Sequence, residues 1–411
     1  MFKPLNRYAP FKPFKPLLHP RDAGEDRGGG LNDLNSWSGL NRSQAISVAR
    51  KVKAAHQIIA PVILCGLLAI LAGCSRSEPE VQAKLAPGTI VLTGAGATFP
   101  SVLYNRLFTV YHDNHPKIVI KYAAVGSGEG VRRFIGKSLQ EEEKVDFGAS
   151  DAAMSDADIA SAGNNALMIP VTAGCVVLAY NLPSFRGELK LSRRAYAGIF
   201  LGEIKKWNDP LIAQSNPGIK LPDLTIATVV RQDGSGTTFA FTKNLDAVSD
   251  KWRSQFGPAA LVDWPGNAMR AKGNEGVAGL IGNSEGAVGY VGYEFARKLG
   301  LNNAALENKE GKFVKPSDES CRAALASAEM PENLRVFVPD PKGADSYPIV
   351  TFSWILLRKK YKPETANALR ELFQWCLQDG QRYSTELGYV RVPASVVEKA
   401  AAALNSIKAE G

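Results

Sequence analysis

The sequence predicts an α/β fold with largely parallel sheets, and three observations support this prediction. From about residue 89 onward, segments with the apolar alternation of β-strands take turns with segments of helical spacing. Three of the strands run directly into a glycine-rich loop that opens a helix. The chain of 411 residues is also long enough for two domains of ordinary size.

The individual elements follow from these patterns in chain order. The predicted strands are 89–93, 117–124, 145–148, 174–181, 225–231, 287–291 and 348–358. The predicted helices are 100–113, 129–138, 192–200, 237–245, 363–380 and 393–407. The sequence shows no internal repeat with the period of a solenoid protein.

The positive charge of the chain is concentrated near its N-terminus. The hydrophobic fraction of 45% and the charged fraction of 22% are ordinary for a globular protein. The formal net charge is +9, but residues 1–73 hold ten Lys and Arg against four Asp and Glu, so residues 74–411 are close to balanced. Nucleic-acid binding needs a clustered basic face, and the composition therefore argues against it.

A targeting region precedes the predicted domains. A basic segment at residues 50–53 is followed by an apolar run from Ile58 to Ala72. This run has the length and flanks of a secretory signal peptide, and it is too short to span a bilayer comfortably. We therefore expect a signal peptide at residues 48–73.

The end of the apolar run, LAGC at residues 71–74, resembles the lipobox of bacterial lipoproteins. In such proteins cleavage precedes the cysteine, which then carries lipid. We expect Cys74 and a linker to residue 87 to anchor a periplasmic or otherwise extracytoplasmic protein to the membrane; an ordinary secretory signal is the alternative. Residues 1–47, rich in proline, glycine and charge, are expected to be disordered or to reflect an over-long gene start.

The segment ATVVRQDGSGTTFAF at residues 227–241 is the most informative of the three strand–loop–helix units. The strand ends on Arg231, and glycines in the loop allow a sharp turn and a close approach to a ligand. The first N–H groups of the helix have no partner inside the helix, so they form a cradle for an anion. Arg231 adds a permanent charge and a planar fork of donors that matches phosphate-like oxygens.

Two further loops have the same character. They are IVLTGAGATFP at 90–100 and IVIKYAAVGSGEG at 118–130. All three loops follow the carboxyl ends of predicted strands, where ligands bind in open α/β sheets. The sequence therefore predicts that an anion site forms where these loops meet.

Asp151 follows another buried strand, in the segment VDFGASD at residues 145–151. A carboxylate beside an anion site can accept the proton of a protonated oxyanion. A fully deprotonated anion such as sulfate would instead face an unpaired buried negative charge, so the site would reject it. Locally, a helix N-cap or a turn aspartate is the alternative role for this residue.

Taken together, the motifs closely resemble the periplasmic phosphate-binding protein of the bacterial high-affinity phosphate ABC transporter. The matching segments are TGAGATFP at 93–100, GSGEGV at 126–131, VDFGASD at 145–151, GEIKKWNDP at 202–210, RQDGSGTTF at 231–239, KGNEGVAG at 272–279 and GAVGYVGY at 286–293. The resemblance implies a two-lobed periplasmic-binding-protein fold (Venus flytrap), in which two α/β domains are joined by hinge strands. Lobe 1 would comprise 88–173 with 347–411, lobe 2 would comprise 174–346, and the hinges would cross near Val171–Cys175 and Ser346–Val350.

The resemblance also implies a phosphate site and its partners. The implied phosphate-binding residues are Thr98, Phe99, Ser127, Asp151, Arg231, Ser235, Gly236 and Thr237. Asp151 would accept the ligand's proton, and Asp233 would hold Arg231 in place. The expected partners are inorganic phosphate and the permease subunits of an ABC transporter. We expect a monomer that is not an enzyme and uses no cofactor or metal.

The second loop departs from the family pattern at Gly128 and Glu129, where the family often has Ser and Gly. We expect Glu129 to face solvent from the first helical turn, where acidic residues are favoured; an inward carboxylate would weaken anion binding. Residues 137–144, KSLQEEEK, are interpreted as an inserted exposed loop.

Other functions are less consistent with the sequence. Catalysis needs a positioned base, and His112 and His115 are better interpreted as surface residues at a helix end. Ser235 lacks the pattern of a nucleophile elbow, and residues 130–138 only nearly match a P-loop. A receptor for another oxyanion and a phosphate sensor without a transport role remain alternatives.

Three cysteines lie beyond Cys74 in the expected mature chain. We expect Cys175 and Cys376 to be buried as small hydrophobic side chains. A disulfide between Cys321 and Cys376 is a second interpretation, and the cysteine spacing indicates no metal site.

Overall fold

The computed structural model describes residues 86–326 and 328–410. Residues 1–47, the signal peptide and Cys74 lie outside this part of the chain, so the expectations for them stay predictions. Among the helices in the described ranges, none has the length and apolar character needed to cross a membrane.

The strands and helices alternate along the described chain. The strands are β1 Ile90–Gly96, β2 Ile118–Ala124, β3 Phe147–Ser150, β4 Ala166–Tyr180, β5 Lys190–Leu191, β6 Ala227–Arg231, β7 Met269–Ala271, β8 Ala287–Gly292, β9 Asn302–Asn303, β10 Ala305–Glu307, β11 Phe313–Val314, β12 Val350–Arg358, β13 Lys360–Tyr361 and β14 Lys408–Ala409. The helices are α1 Ser101–Asn114, α2 Ser127–Ile135, α3 Asp156–Ser161, α4 Arg193–Phe200, α5 Pro210–Ala213, α6 Gly236–Val248, α7 Asp250–Gln255, α8 Gly273–Asn283, α9 Tyr293–Lys298, α10 Asp318–Ala326, α11 Pro363–Leu377, α12 Arg382–Glu386 and α13 Ala394–Asn405. Short 3₁₀ turns occur at Glu141–Glu143 and Asp379–Gln381.

The main sheet is mixed and has the strand order β2-β1-β3-β12-β4-β8-β6-β7, with β9 also paired to β4. The flanks are parallel, because β1 pairs with β2 and β3, and β6 pairs with β7 and β8, in the same direction. The centre is antiparallel, because β12 opposes β3 and β4, and β4 opposes β8. The prediction of largely parallel sheets is therefore wrong in the centre of the sheet. Buried parallel strands and central antiparallel strands both appear in the sequence as continuous apolar runs, and such a run does not reveal the direction of the strand relative to its neighbours.

The central strand β4 is almost twice as long as the sequence predicts. It begins at Ala166 and includes Pro170, which lies where the register with β12 shifts between Ser353 and Trp354. Proline inside a strand normally argues against the strand, except at such irregularities. The first half of β4 pairs with β12 and the second half with β8, so this one strand joins the two flanks of the sheet.

The core is built from apolar faces that the helices present to the sheet. In α1, the buried residues Leu103, Tyr104, Leu107, Phe108 and Tyr111 recur at three- and four-residue spacing. The ring of Phe108 packs edge-on against a residue of β3 at 5.8 Å and one of β2 at 5.9 Å. Burial of each such ring contributes about 1.5–3 kcal/mol, which fixes α1 and therefore the loop that precedes it.

Two helices begin earlier than the sequence predicts, and both starts lie in the predicted anion loops. Helix α2 begins at Ser127 because Gly126 ends the turn with a φ of 102°, and it stops before the left-handed Gly136. Helix α6 begins at Gly236, since the hydroxyl of Ser235 caps it by accepting from the N–H of Thr238 at 3.1 Å.

The cysteines pair differently from the expectation. Cys175 in β4 and Cys321 in α10 form a disulfide, with their Cα atoms 5.6 Å apart. A Cys321–Cys376 pairing is therefore wrong; Cys376 is free and buried, as expected for a core side chain. Apolar spacing places each cysteine on the inner face of its own element, but it does not reveal that α10 packs beside β4.

Candidate functional site

The three predicted anion loops and the segment after β3 bring their site residues into one buried cluster. Thr98 and Phe99 lie between β1 and α1, Ser127 opens α2, and Asp151 follows β3. The segment from Arg231 to Thr237 connects β6 to α6. Exposure of the predicted side chains is low throughout: Thr98 7%, Ser127 4%, Asp151 1%, Arg231 2%, and Phe99, Ser235 and Thr237 0%.

Arg231 is held rigidly by Asp233. Its Nε donates to Asp233 Oδ1 at 2.8 Å, and one terminal nitrogen donates to Oδ2. Asp233 Oδ1 also accepts from the backbone N–H of Gly273 at 3.0 Å. Burial pushes the pKa of Asp233 upward, but the hydrogen bonds and charge of Arg231 outweigh it and hold this pKa below its ordinary value. The pair is therefore ionised, and the guanidinium keeps free donors for an anion.

The carboxylate of Asp151 lies between two serine hydroxyls. Its Oδ1 accepts from the hydroxyl of Ser353 at 2.8 Å, and its Oδ2 lies 3.4 Å from the hydroxyl of Ser127. Burial raises the pKa of Asp151 to about 7, although Ser353, the charge of Arg231 and Ser127 all act to lower it. Near neutral pH the carboxyl group is therefore poised between its charged and its proton-donating form.

The alternative role of Asp151 as a helix cap is not observed. The next helix, α3, begins five residues later and is capped by Ser155, whose hydroxyl accepts from the N–H of Asp158 at 3.1 Å. The Asp151 carboxylate instead stays with the hydroxyls of the cluster.

Close backbone approach explains two of the loop glycines. A Cβ on Gly236 would lie 2.6 Å from Asp151 Cβ and 2.7 Å from its backbone. A Cβ on Gly126, whose φ is 102°, would lie 2.3 Å from Asp233 Oδ2. Only glycine lets these loops meet, which brings the starts of α2 and α6 close to Asp233 and Asp151.

Phe99 is fixed from the opposite side of its loop. Its carbonyl accepts from the Tyr389 hydroxyl at 2.8 Å, and the two rings pack edge to face with centroids 5.7 Å apart. The backbone of the first loop is thus held before any ligand arrives, which reduces the entropy cost of binding.

Sequence reasoning missed two residues of the cluster. Ser353 lies in the middle of β12, and its only signal is a hydroxyl in the apolar run VTFSWILLR. Asn274 is fully buried and donates from Nδ2 to the hydroxyls of Thr98 at 3.0 Å and Thr237 at 3.1 Å. Asn274 lies in the segment KGNEGVAG, which carries part of the resemblance. The glycines of this segment disfavour a helix in sequence analysis, so helix α8 was not predicted.

Glu129 faces away from the cluster, as expected. Its carboxylate accepts from Arg132 and Arg133 of the same helix, with both Nε atoms at 2.7 Å. Hydrogen bonds from Arg132 lower the pKa of Glu129 to about 2 against the opposing effect of burial. Arg132 also reaches Glu143 of the segment 137–144 at 3.1 Å. The departure at this position therefore places no unpaired charge in the anion loop.

The two histidines bind backbone carbonyls near the end of α1. His112 Nδ1 lies 2.8 Å from the oxygen of Ile118, and His115 Nδ1 lies 3.0 Å from that of Tyr111. Within the described ranges, no group of three or more His, Cys, Asp or Glu is arranged to hold a metal ion.

Comparison with known proteins identifies the family. A model described as the PBP superfamily domain matches residues 80–379. The phosphate-binding protein PstS of Pasteurella multocida is 41% identical over 312 residues, which cover 75% of this chain and 88% of that protein. The phosphate-binding protein PstS of Methanocaldococcus jannaschii is 36% identical over 389 residues, which cover 87% of this chain and 98% of that protein.

Solved structures show the same fold at lower identity. A high affinity periplasmic phosphate-binding protein bound with phosphate aligns with a TM-score of 0.65 and 21% identity, covering 76% of this chain and 93% of that one. The phosphate-binding protein from Stenotrophomonas maltophilia aligns with a TM-score of 0.62 and 19% identity, covering 76% of this chain and 94% of that one. The expected fold class is confirmed, and the chain belongs to the PBP superfamily and, within it, to the family of the phosphate-binding proteins PstS.

Proposed function

We propose that the protein captures inorganic phosphate outside the cytoplasmic membrane and delivers it to the permease of an ABC transporter. The observation that carries the proposal is the buried cluster in which Arg231, fixed by Asp233, shares one site with the buried carboxyl group of Asp151. Permanent positive charge suits an anion, and a carboxylate suits an anion that still carries a proton. The names of the PstS relatives support the same ligand.

Each site residue has a proposed role. The hydroxyls of Thr98, Ser235 and Thr237 and the N–H groups of Phe99, Gly236 and Thr237 donate to phosphate oxygens. The hydroxyl of Ser127, which donates to Asp151 in this structure, turns its one proton to phosphate when the ligand binds. Arg231 pairs with the charge of the anion, and Asp151 accepts the ligand's proton. Sulfate carries no such proton at neutral pH, so the same aspartate excludes it.

The proposal includes a closing movement. Residues 88–173 with 347–411 form one lobe and residues 174–346 form the other, with hinges near Val171–Cys175 and Ser346–Val350. The two hinge segments end side by side, since Val350 pairs with Cys175. The lobes close around dehydrated phosphate, and the permease recognises the closed monomer.

Calorimetric titration of the purified protein, stripped of endogenous ligand, tests this function. We expect micromolar or tighter binding of phosphate and no signal with sulfate. Arg231→Ala should weaken phosphate binding at least a hundredfold, because a desolvated charge partner is lost. Arg253→Ala removes an equal charge from an exposed pair on α7 and should leave binding unchanged. A wild-type protein that binds neither anion would refute the receptor function, and a loss under tenfold in Arg231→Ala would refute the role of that residue.

Lipid attachment at Cys74 is the proposed link to the membrane. Cys74→Ser should prevent lipidation and release the protein from the membrane fraction, because no other anchor is proposed. Fractionation of cells expressing the wild type and the variant measures this directly. Persistent membrane association of the variant would contradict the lipid anchor.

A further inference from the structure

Asn274 occupies a bridging position that the proposed site does not yet use. It lies in the first turn of α8 and is fully buried. Its Nδ2 donates to Thr98 Oγ1 at 3.0 Å and to Thr237 Oγ1 at 3.1 Å, and its backbone N–H also donates to Thr98 Oγ1 at 3.1 Å. One side chain thus connects hydroxyls from the first and third anion loops.

The orientation of this amide follows from its other partner. Asn274 Oδ1 accepts from the backbone N–H of Gly292 at 2.9 Å. A backbone N–H can only donate, so the oxygen must face Gly292 and the NH₂ group must face the two threonines. The donor direction of the bridge is therefore set by the fold.

The direction of the Asn274 bridge determines where the hydroxyl protons of Thr98 and Thr237 can point. A hydroxyl has one proton to donate and two lone pairs that accept. At Thr98 both lone pairs are used by donors of Asn274, and at Thr237 one lone pair is used. Thr98 therefore can only donate to a further partner, and a fully deprotonated phosphate oxygen can only accept.

We propose that Asn274 is a positioning residue that fixes the hydroxyls of Thr98 and Thr237 as donors toward phosphate. This inference rests on the proposed function. Asn274 acts through the threonines and does not itself contact the ligand. Without its amide, Thr98 keeps only the bond from the backbone N–H of residue 274 and Thr237 loses the bond from Nδ2, so both hydroxyls gain rotational freedom and part of the binding energy is spent on ordering them.

A buried asparagine that only stabilises the fold would behave differently. Removing it would lower the stability of the ligand-free protein, but its effect on phosphate affinity would not depend on the threonine hydroxyls. Asn216 supplies the matched control, since it is also buried, donates from Nδ2 to the backbone carbonyls of Lys190 and Ile212 at 2.8 Å, and lies outside the proposed hinges and the anion loops.

The test is a thermodynamic cycle in the phosphate dissociation constant, measured by calorimetry on the complete protein. Asn274→Ala should weaken binding about ten- to a hundredfold, because two neutral hydrogen bonds lose their preset direction. In a Thr98→Ala/Thr237→Ala background the same change should weaken binding less than twofold. Asn216→Ala should lower the urea midpoint of the ligand-free protein while leaving phosphate affinity within twofold.

The possible results distinguish a failure of the positioning role of Asn274 from a failure of the proposed receptor function. Equal losses from Asn274→Ala in the wild-type and threonine-free backgrounds would overturn the positioning role while leaving the receptor function intact. Unchanged affinity in Asn274→Ala would do the same. Absence of phosphate binding by the wild type would overturn both. If the alanine variant does not fold, the cycle is run with Asn274→Asp, which keeps the side-chain volume but accepts from the hydroxyls, and unchanged affinity would again overturn the inference.

Discussion

In the proposed function, ligand discrimination depends on Asp151, because its carboxylate is an acceptor close to the proposed donors of the cluster. Hydrogen bonds from Ser353 and Ser127 occupy part of its carboxylate, and the rest of the residue is shielded from solvent. A buried carboxylate rejects an anion unless that anion brings a proton to share. The same geometry makes the rejection depend on the protonation state of Asp151.

Selectivity should therefore change with pH. Burial raises the pKa of Asp151 to about 7, so the group is charged above pH 7 and becomes a proton donor below it. We expect sulfate binding to be undetectable at pH 8 and to emerge by pH 6. Asp151→Asn, which donates at both pH values, should bind sulfate at least tenfold more tightly than the wild type at pH 8. Calorimetry with sulfate at both pH values decides this, and equal sulfate binding by wild type and variant at pH 8 would remove the proton-acceptor argument.

At the scale of elements, α9 carries a buried carboxyl group that the proposed function does not explain. Glu294 is the second residue of α9 and is only 4% exposed. Within the described part of the chain, neither of its carboxylate oxygens has a hydrogen-bond partner. Burial, reinforced by the nearby charge of Asp151, raises the pKa of Glu294 well above the ordinary glutamate value. The folded protein therefore holds Glu294 in its neutral form.

This buried glutamate should make stability fall as pH rises. Below the ordinary glutamate pKa both the folded and the unfolded protein hold the proton; above it the unfolded state loses the proton while the folded state retains it. Each unit by which the folded pKa exceeds the unfolded one costs about 1.4 kcal/mol at high pH. Glu294→Gln should remove this cost and make the dependence shallower than in the wild type, leaving the part that the raised pKa of Asp151 contributes over the same range. Urea unfolding of both ligand-free proteins at pH 5 and pH 8 measures it, and parallel behaviour of the two would contradict the neutral form.

The elements that bear the anion loops were predictable because their signals are local. Gly126 and Gly236 mark tight turns in the sequence, and the structure confirms that the strands before them and the helices after them exist. Short elements such as α5 and β7 lack the length for a periodic pattern. Helix α8 was missed because three glycines within its interior mask the helical pattern.

The site itself was predictable only where a residue lies in a loop. Thr98 and Ser127 lie in glycine-rich turns after strands, and Arg231 ends the strand before such a turn, so their chemistry stands out. Ser353 and Asn274 lie within regular elements, and they join the cluster only because β12 and α8 pack beside the loops. Contacts of this kind are made between residues far apart in sequence, which a local pattern does not encode.

At the scale of the whole molecule, the two flanks of the sheet meet across the anion cluster. The N–H of Gly128 in α2 donates to the carbonyl of Gly234 at 2.9 Å, and Asn274 bridges to Thr98. Because the side chains of the cluster are almost fully buried, phosphate cannot reach them unless these contacts separate. The two flanks are therefore in contact around the cluster in this structure, and the proposed capture of phosphate requires an opening and a closing step.

Closure should depend on the absence of a side chain where α2 meets the Gly234 loop. A Cβ on Gly128 would lie 3.2 Å from Gly234 Cα, closer than ordinary contact. A longer side chain, as in Gly128→Leu, should keep the flanks apart, weaken phosphate binding more than tenfold and abolish the ligand-induced decrease in radius of gyration that we expect for the wild type. Gly279→Leu is the matched control, since a Cβ there meets nothing within 4 Å and lies on another helix. Small-angle X-ray scattering with and without phosphate measures the change in radius of gyration, and calorimetry measures the phosphate affinity. If Gly128→Leu still contracts on binding and keeps wild-type affinity, the contact between these glycines does not control closure.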